Sequence, residues 1–363
     1  MIVLQFIAGL VFLMVGGEAL VRGASRIAAS LRITPLVIGL TVVAYGTGAP
    51  EVAVSVKAVI SAQADIAVGN IIGSNIINIL LILGLAAIIL PITVSNKIIQ
   101  LDIPVLIITS FVALWMGMDG TFSRGDGLIL FGVLLIYTFY LIYNSRTKKT
   151  FDTEEYTEEV SPPGNRKVIT LLIDIGLIAG GIAILVTGAG WLVDSAVIFA
   201  TYLGISELVI GLTIVSVGTS LPELVTAMVA SFRGESNIAI GNIVGSCLFN
   251  LLGVLGLTGI FAPGGISVAP AVVYFDIPVM IAAAVACMPV FFTGGIISRW
   301  EAAVFLIYYA AYTLFLILAE AQHEALTTFS ATMLYFVLPI TAITLFILTL
   351  QEIRKRQRNR KEK

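Results

Sequence analysis

The sequence predicts an all-α polytopic membrane protein in which two inverted five-helix repeats form a ten-helix core, followed by an eleventh, C-terminal transmembrane helix. Three observations carry this reading: the composition, the even spacing of long apolar runs, and an internal repeat. Of 363 residues, 58% are hydrophobic and only 12% charged, and the mean hydropathy is +1.05; these values do not describe a water-soluble chain. They exclude a secreted disulfide scaffold, a cytosolic enzyme and a nucleic-acid binder. Cys247 and Cys287 both lie in apolar segments and supply no disulfide framework.

A bilayer-spanning helix needs about 20 mostly apolar residues. Eleven runs meet that need, near 2–21, 35–61, 66–90, 101–118, 126–143, 168–191, 206–231, 237–261, 271–292, 301–319 and 329–350. The first lacks a basic leader and a cleavage site, so it is expected to be a retained span. The one long polar connection, 144–167, holds five acidic residues and two prolines with no apolar period, as a linker would. The organisation is therefore a first five-span repeat at 1–143, a cytoplasmic linker at 144–167, a second repeat at 168–320, an extra span at 329–350 and a basic cytoplasmic tail at 351–363.

Alternating the spans across a membrane gathers the positive charge on one side. Arg22, Arg26, Arg32, Lys97, Arg146, Lys148, Lys149, Arg166, Lys167, Arg233, Arg299 and the seven basic residues of the tail fall there, and only Lys57 and Arg124 fall elsewhere. Basic residues accumulate on the cytoplasmic side, so the expectation is a multi-pass protein of the cell membrane with its N-terminus outside and C-terminus inside. The lipid bilayer is its expected surrounding, with no nucleic acid and no obligate protein partner.

The internal repeat has a constant offset of 172 (213 minus 41): TVVAYGTGAPEV at 41–52 matches TIVSVGTSLPEL at 213–224, and GNIIGSNIINILLILGL at 69–85 matches GNIVGSCLFNLLGVLGL at 241–257. Weaker echoes are Gly16–Val21 with Gly188–Val193, DIPV at 102–105 with 276–279, and Ser123-Arg124 with Ser298-Arg299. Each unit carries five spans. An odd number forces the second copy to enter the membrane from the opposite side, which is inverted-repeat topology.

Glu51 and Glu223 occupy equivalent positions inside apolar spans. An ionisable group at bilayer depth costs at least ~2.5 kcal/mol and marks a pathway or cavity; two of them brought together are best explained by a cation, although a pair of locally hydrogen-bonded glutamates is the plain alternative. Each follows a helix breaker, Gly46-Thr47-Gly48-Ala49-Pro50 or Gly218-Thr219-Ser220-Leu221-Pro222. Breaking a membrane helix frees carbonyls, and those of Thr47 and Thr219, one turn before the glutamates, suit a hard cation with oxygen ligands. A packing kink would explain the prolines alone, but not the glutamates beside them.

In the next span Asn70, Ser74 and Asn78 share one helical face by their spacing, as do Asn242, Ser246 and Asn250. Ser74, Asn78, Ser246 and Asn250 are deep enough to be ligands, while Asn70 and Asn242 can serve either as ligands or as structural glue. Gly69, Gly73 and Gly245 are expected to permit close helix contact. Asp102 and Asp276 are expected at helix N-termini, and Glu18 either snorkels or meets Arg22. His323, the only histidine, does not make a zinc site. No P-loop is present, so ATP drive by this chain is not expected.

The paired GT-x-x-PE and GN-x-x-GS-x-x-x-N blocks resemble the two α-repeats of the sodium/calcium exchanger family, over essentially residues 1–320. The resemblance implies a ten-helix core with one Ca²⁺ and competing Na⁺ ions at its centre, and first and sixth spans that slide as a gate. It implies that Glu51 and Glu223 are carboxylates shared by Ca²⁺ and Na⁺, and that the Thr47 and Thr219 carbonyls are Ca²⁺ ligands. Ser74, Ser220 and Ser246, with the carbonyls of Ala44 and Ser216, match sodium positions, and Asn78 and Asn250 match a central polar pair. Two departures stand out. Gly48 replaces the hydroxyl that Ser220 supplies in the second copy, and Asn250 stands where some relatives have Asp.

The expected function is thus secondary antiport, with Ca²⁺ leaving in exchange for Na⁺ and no cofactor beyond the transported ions. A Ca²⁺/H⁺ antiporter of the same architecture is the alternative. A channel is separated from both by its independence of counterflow, and an intramembrane enzyme would need a nucleophile or metal cluster that the sequence lacks.

Overall fold

A computed structural model of the chain describes residues 2–31, 33–147, 168–202 and 216–361. The segment 144–167 thus falls almost wholly outside the described residues, as does the first half of the seventh expected span.

The first repeat comprises α1 (Ile2–Leu31), the broken pair α2 (Pro35–Thr47) and α3 (Ala49–Ile60), then α4 (Ala64–Ile89), α5 (Ile98–Gly117) and α6 (Arg124–Thr147). The second comprises α7 (Val168–Tyr202), α8 (Ser216–Thr219) and α9 (Leu221–Phe232), then α10 (Ser236–Phe261), α11 (Val272–Phe292) and α12 (Arg299–Glu320). A final helix, α13 (325–361), packs against α11 and α12. Among the described residues, nine helices are long and apolar enough to cross a membrane, and α2 with α3 makes a tenth. α8 and α9 lie within the seventh expected span, whose first half falls outside the described residues.

α1 and α7 run about ten residues past the expected spans, and their shared seam explains why. Gly9, Gly16 and Gly23 recur every seven residues on α1 and face Gly188, Gly181 and Asp174 of α7. A Cβ at Gly9 would lie 2.9 Å from the Gly188 carbonyl, one at Gly16 2.8 Å from the Gly181 carbonyl, and one at Gly23 2.9 Å from the Asp174 carbonyl. The backbones therefore touch directly along an antiparallel seam, as small residues allow in lipid. At one end ion pairs extend it: Arg26 meets Asp174 at 3.8 Å, and Glu18 pairs with Arg22 at 2.9 Å and with Arg233. Glu18 thus meets its expected partner and a second one as well.

Four two-residue strands record the inverted symmetry. β1 (Ile92–Thr93) pairs with β4 (Ile296–Ile297), joining the α4–α5 loop to the α11–α12 loop on one face; β2 (Thr121–Phe122) pairs with β3 (Ile266–Ser267) on the other. Under the repeat, the pair Ile92–Ile297 becomes Ile266–Phe122, so each ribbon is the image of the other. The two arginines follow the same rule. Arg124 Nε donates to the Ala262 carbonyl beyond α10, and Arg299 Nε to the Ile88 carbonyl at the end of α4, each placing a cation at a helix C-terminus. Arg124, one of two basic residues off the positive side, is therefore held there by its capping role.

Asp102 and Asp276 correct an expectation. Instead of opening helices, each ends a π-helical turn inside one, at Ile98–Asp102 and Val272–Asp276. Each accepts a hydrogen bond from a tyrosine, Tyr137 or Tyr312, at 2.8 Å. Gly245 makes the expected close contact, since its Cβ would fall 2.7 Å from Leu40 Cα; Gly69 meets no atom within 4 Å among the described residues. The residues related by the repeat to Leu36–Leu40, 208–212, lie outside the described set.

Candidate functional site

The repeat axis passes between Asn75 and Cys247. These are equivalent residues of the two copies, and Cys247 Sγ lies 3.9 Å from the Asn75 carbonyl; a residue touches its own mate only on the axis that relates them. Around this point α2–α3, α4, α8–α9 and α10 bring in nearly every polar residue singled out in the sequence.

The breaks are sharp and matched. Gly48 sits at φ −79°, ψ 4° and Ser220 at φ −90°, ψ 8°, and α2 and α3 meet at 45°. Pro50 and Pro222 fall in the first turn of the helix that restarts, where the missing N–H costs nothing. Glu51 and Glu223 sit in the same first turns. Each glutamate therefore lies in the first turn of a buried helix, where the dipole favours negative charge. The breaks were expected to free carbonyls; their second effect, seating the glutamates, is visible only once the helix is seen to restart.

Thr47 closes α2, so the carbonyls from Ala44 to Thr47 form a helix C-terminus. Of these, Ala44 accepts the Gly48 N–H at 3.0 Å. Ser216 and Thr219 bound α8, and Ser220 N–H reaches the Val217 carbonyl at 3.2 Å.

Asn70 and Asn242 lock the copies together. The Thr219 hydroxyl donates to Asn70 Oδ1 at 3.2 Å, and the Asn70 amide donates to the Glu51 carbonyl at 3.4 Å and to Ser55 Oγ at 3.0 Å. In the image, the Thr47 hydroxyl meets Asn242 Oδ1 at 3.4 Å and the Asn242 amide donates to the Glu223 carbonyl at 3.2 Å. Both asparagines hold the glutamate backbone with their amides, and their oxygens are engaged by threonines.

The inner residues are different. Ser220 Oγ lies 3.3 Å from Ser74 Oγ and 3.5 Å from Glu51 Oε1. Among the described residues Glu51 Oε2, Glu223 Oε2, both amide atoms of Asn78 and Ser246 Oγ have no hydrogen-bond partner, although they are buried. Glu51 is 1% and Glu223 2% exposed. Buried polar groups are almost always partnered, so a cluster of orphaned oxygens asks for a ligand that accepts their lone pairs. Asn78 and Asn250 sit near the start of matched π-helical turns, Ile77–Ile82 and Phe249–Val254. Among the described residues no group of three or more His, Cys, Asp or Glu side chains gathers to hold a metal; two carboxylates and neutral oxygens are what this centre offers.

Residues 1–143 and 173–318 match the family described as sodium/calcium exchanger protein. The chain is 34% identical over 346 residues to the sodium/calcium exchanger MaX1 of Methanosarcina acetivorans, covering 85% of this chain and 96% of that one. It is 39% identical over 267 residues to the putative antiporter CaxA of Alkalimonas amylolytica, covering 73% and 82%. Its fold matches that of the sodium-calcium exchanger NCX_Mj soaked with 10 mM Na⁺ and zero Ca²⁺, with a TM-score of 0.73 at 30% identity, over 85% of this chain and 98% of that one.

Proposed function

The chain belongs to the sodium/calcium exchanger family, a family of membrane antiporters, and from that membership we propose that it exports Ca²⁺ in exchange for Na⁺ through a midplane site whose charged ligands are Glu51 and Glu223. The carrying observation is the pair of unpartnered, buried carboxylate oxygens at repeat-related positions. A hard cation offsets their desolvation. Two negative charges balance one Ca²⁺ or two Na⁺, so the ions compete for the same carboxylates.

Around them, Ser74, Ser220, Ser246, Asn78 and Asn250 complete the oxygen set, with the carbonyls of Ala44, Thr47, Ser216 and Thr219 at the helix breaks. Only a neutralised site lets α1 and α7 slide across the apolar barrier, and the glycines of their seam keep the two backbones in direct contact along the path of sliding. The basic face is cytoplasmic, which places the N-terminus outside and the C-terminus inside the cell membrane.

Ca²⁺/H⁺ exchange is the second reading, because protonating both glutamates replaces a divalent charge equally well. The test of the site is ⁴⁵Ca²⁺ flux in proteoliposomes bearing Glu51→Gln or Glu223→Gln. Loss of about 100-fold or more is expected, since removing one partner of a buried charge set costs ~3–5 kcal/mol; full flux in either variant sinks the assignment.

A further inference from the structure

α1 lies along the stretch of α9 that runs from Glu223 to the basic face, and an ion pair clamps it there. Val225, Val229 and Arg233 are spaced four apart and share one face of α9. Gly17 of α1 rests on that face, since its Cβ would lie 3.0 Å from Val225 Cγ1 and 3.3 Å from Val229 Cγ2. One residue on, Glu18 grips Arg233, whose Nε donates to Glu18 Oε2 at 2.7 Å while Nη2 donates to Oε1. Two parallel bonds between a guanidinium and a carboxylate fix orientation as well as distance. Further along α1, Ser25 Oγ donates to Glu235 Oε1 at 3.1 Å, which adds a tie to the turn between α9 and α10.

The clamp has no image in the other repeat. Under the offset, Val225, Val229 and Arg233 become Ala53, Lys57 and Ser61 of α3, and Glu18 becomes Gly190 of α7. A serine and a glycine cannot form an ion pair. Ala53, Lys57 and Ser61 are all exposed, whereas Val225 and Val229 are half-buried beneath α1. Elsewhere the inversion is kept, in the paired ribbons and in the arginine caps. Helix cover and ion pair thus occur together at the basic face, and among the described residues neither occurs at the opposite one.

We propose that Glu18 and Arg233 form a latch that holds α1 over α9 and biases the resting protein towards the state in which the basic face is closed. This rests on the exchanger reading above, which requires the two faces to open in turn, and adds a device that regulates that site. The chemistry suits a latch. With side chains 39% and 31% exposed, the two partners can part into water at small cost, so the pair shifts a balance without freezing it. Arg22 also meets Glu18, at 2.9 Å, but from Glu18's own helix, so that contact ties nothing across the gap.

The test is labelling of the full chain in proteoliposomes by a charged, membrane-impermeant methanethiosulfonate, in choline medium without Na⁺ or Ca²⁺. Val229→Cys reports on the basic face and its image Lys57→Cys on the other. Cys247 and Cys287 are 0% and 1% exposed, so the chain without an added cysteine is the blank. Glu18→Gln or Arg233→Gln should speed labelling of Val229→Cys about 1.5- to 5-fold, the population change that an exposed ion pair supports, without speeding Lys57→Cys. The two changes together should do no more than either alone, and Arg22→Gln should leave the rate as it was. No change at Val229→Cys overturns the latch. So does an equal rise at both reporters, which marks general loosening, or an additive effect of the two substitutions, which places each in a separate contact. Labelling needs no flux, so failure of the wider reading shows separately: absence of ion-driven ⁴⁵Ca²⁺ flux in the natural chain overturns the exchanger reading and the latch with it.

Discussion

Thr219 donates its hydroxyl to Asn70 Oδ1 across the boundary between the repeats, at 3.2 Å, and Thr47 does the same toward Asn242 at 3.4 Å. The two contacts are images of each other. Each asparagine then holds the backbone of the glutamate in its own repeat through its amide. The helix break of one copy and the glutamate backbone of the other are thus joined through a single asparagine.

Thr219→Val and Asn70→Leu should each destabilise the protein, and a double-mutant cycle should return a coupling of about 0.5–1.5 kcal/mol, the net worth of a typical hydrogen bond. Thermal unfolding in detergent with and without Ca²⁺ checks this. Additive effects would mean the threonine and asparagine act independently.

Along the α1–α7 seam, Gly16→Leu and Gly181→Leu should abolish transport or folding, because their added atoms meet backbone at 2.8 and 2.7 Å. Overpacking costs about 1–3 kcal/mol even where side chains can move. Gly176→Leu and Gly180→Leu, on the same helix with nothing within 4 Å, should leave ⁴⁵Ca²⁺ flux nearly intact. Equal loss in all four would show that helix propensity, not the seam, sets the effect.

Tyr137→Phe and Tyr312→Phe each remove the donor to an aspartate, the buried Asp102 or the part-buried Asp276. An unsatisfied buried polar group costs about 1–3 kcal/mol, so both variants should melt at lower temperature while keeping their Na⁺ and Ca²⁺ dependence. A change in ion dependence without loss of stability would place these pairs in the transport site instead.

Acid should weaken Ca²⁺ uptake from the cytoplasmic-facing side. At the proposed site, protonating Glu51 or Glu223 removes charge that Ca²⁺ would neutralise, so the half-saturating Ca²⁺ concentration is expected to rise as pH falls, while saturating Ca²⁺ restores the rate. Measuring Ca²⁺ dependence at neutral and mildly acidic pH checks it. A maximal rate that falls at constant half-saturation would indicate that protons act elsewhere.

Much of this was legible in the sequence, because the repeat writes the same constraints twice. Glu51 with Glu223, and the breaks before them, stand out since charge and proline in apolar runs have few explanations. The α1–α7 seam was not read from the sequence, because the meaning of Gly9 and Gly16 depends on Gly188 and Gly181 lying opposite. The π-helical turns that carry Asn78 and Asn250 leave no residue signature, since they arise from tertiary packing rather than local propensity. The surroundings of Gly48 were unreadable for a similar reason. Gly48 appears in the sequence as a missing hydroxyl, and only the fold brings the Phe249 ring of the other repeat against it.

The central claim is that cations exchange at the Glu51–Glu223 pair, and it is tested most directly by ⁴⁵Ca²⁺ uptake into proteoliposomes loaded with Na⁺, beside choline-loaded and acid-loaded controls at clamped potential. Uptake that requires internal Na⁺, and is lost in Glu51→Gln and Glu223→Gln, is the predicted result. Uptake with all three interiors alike, or undiminished in either variant, would contradict it.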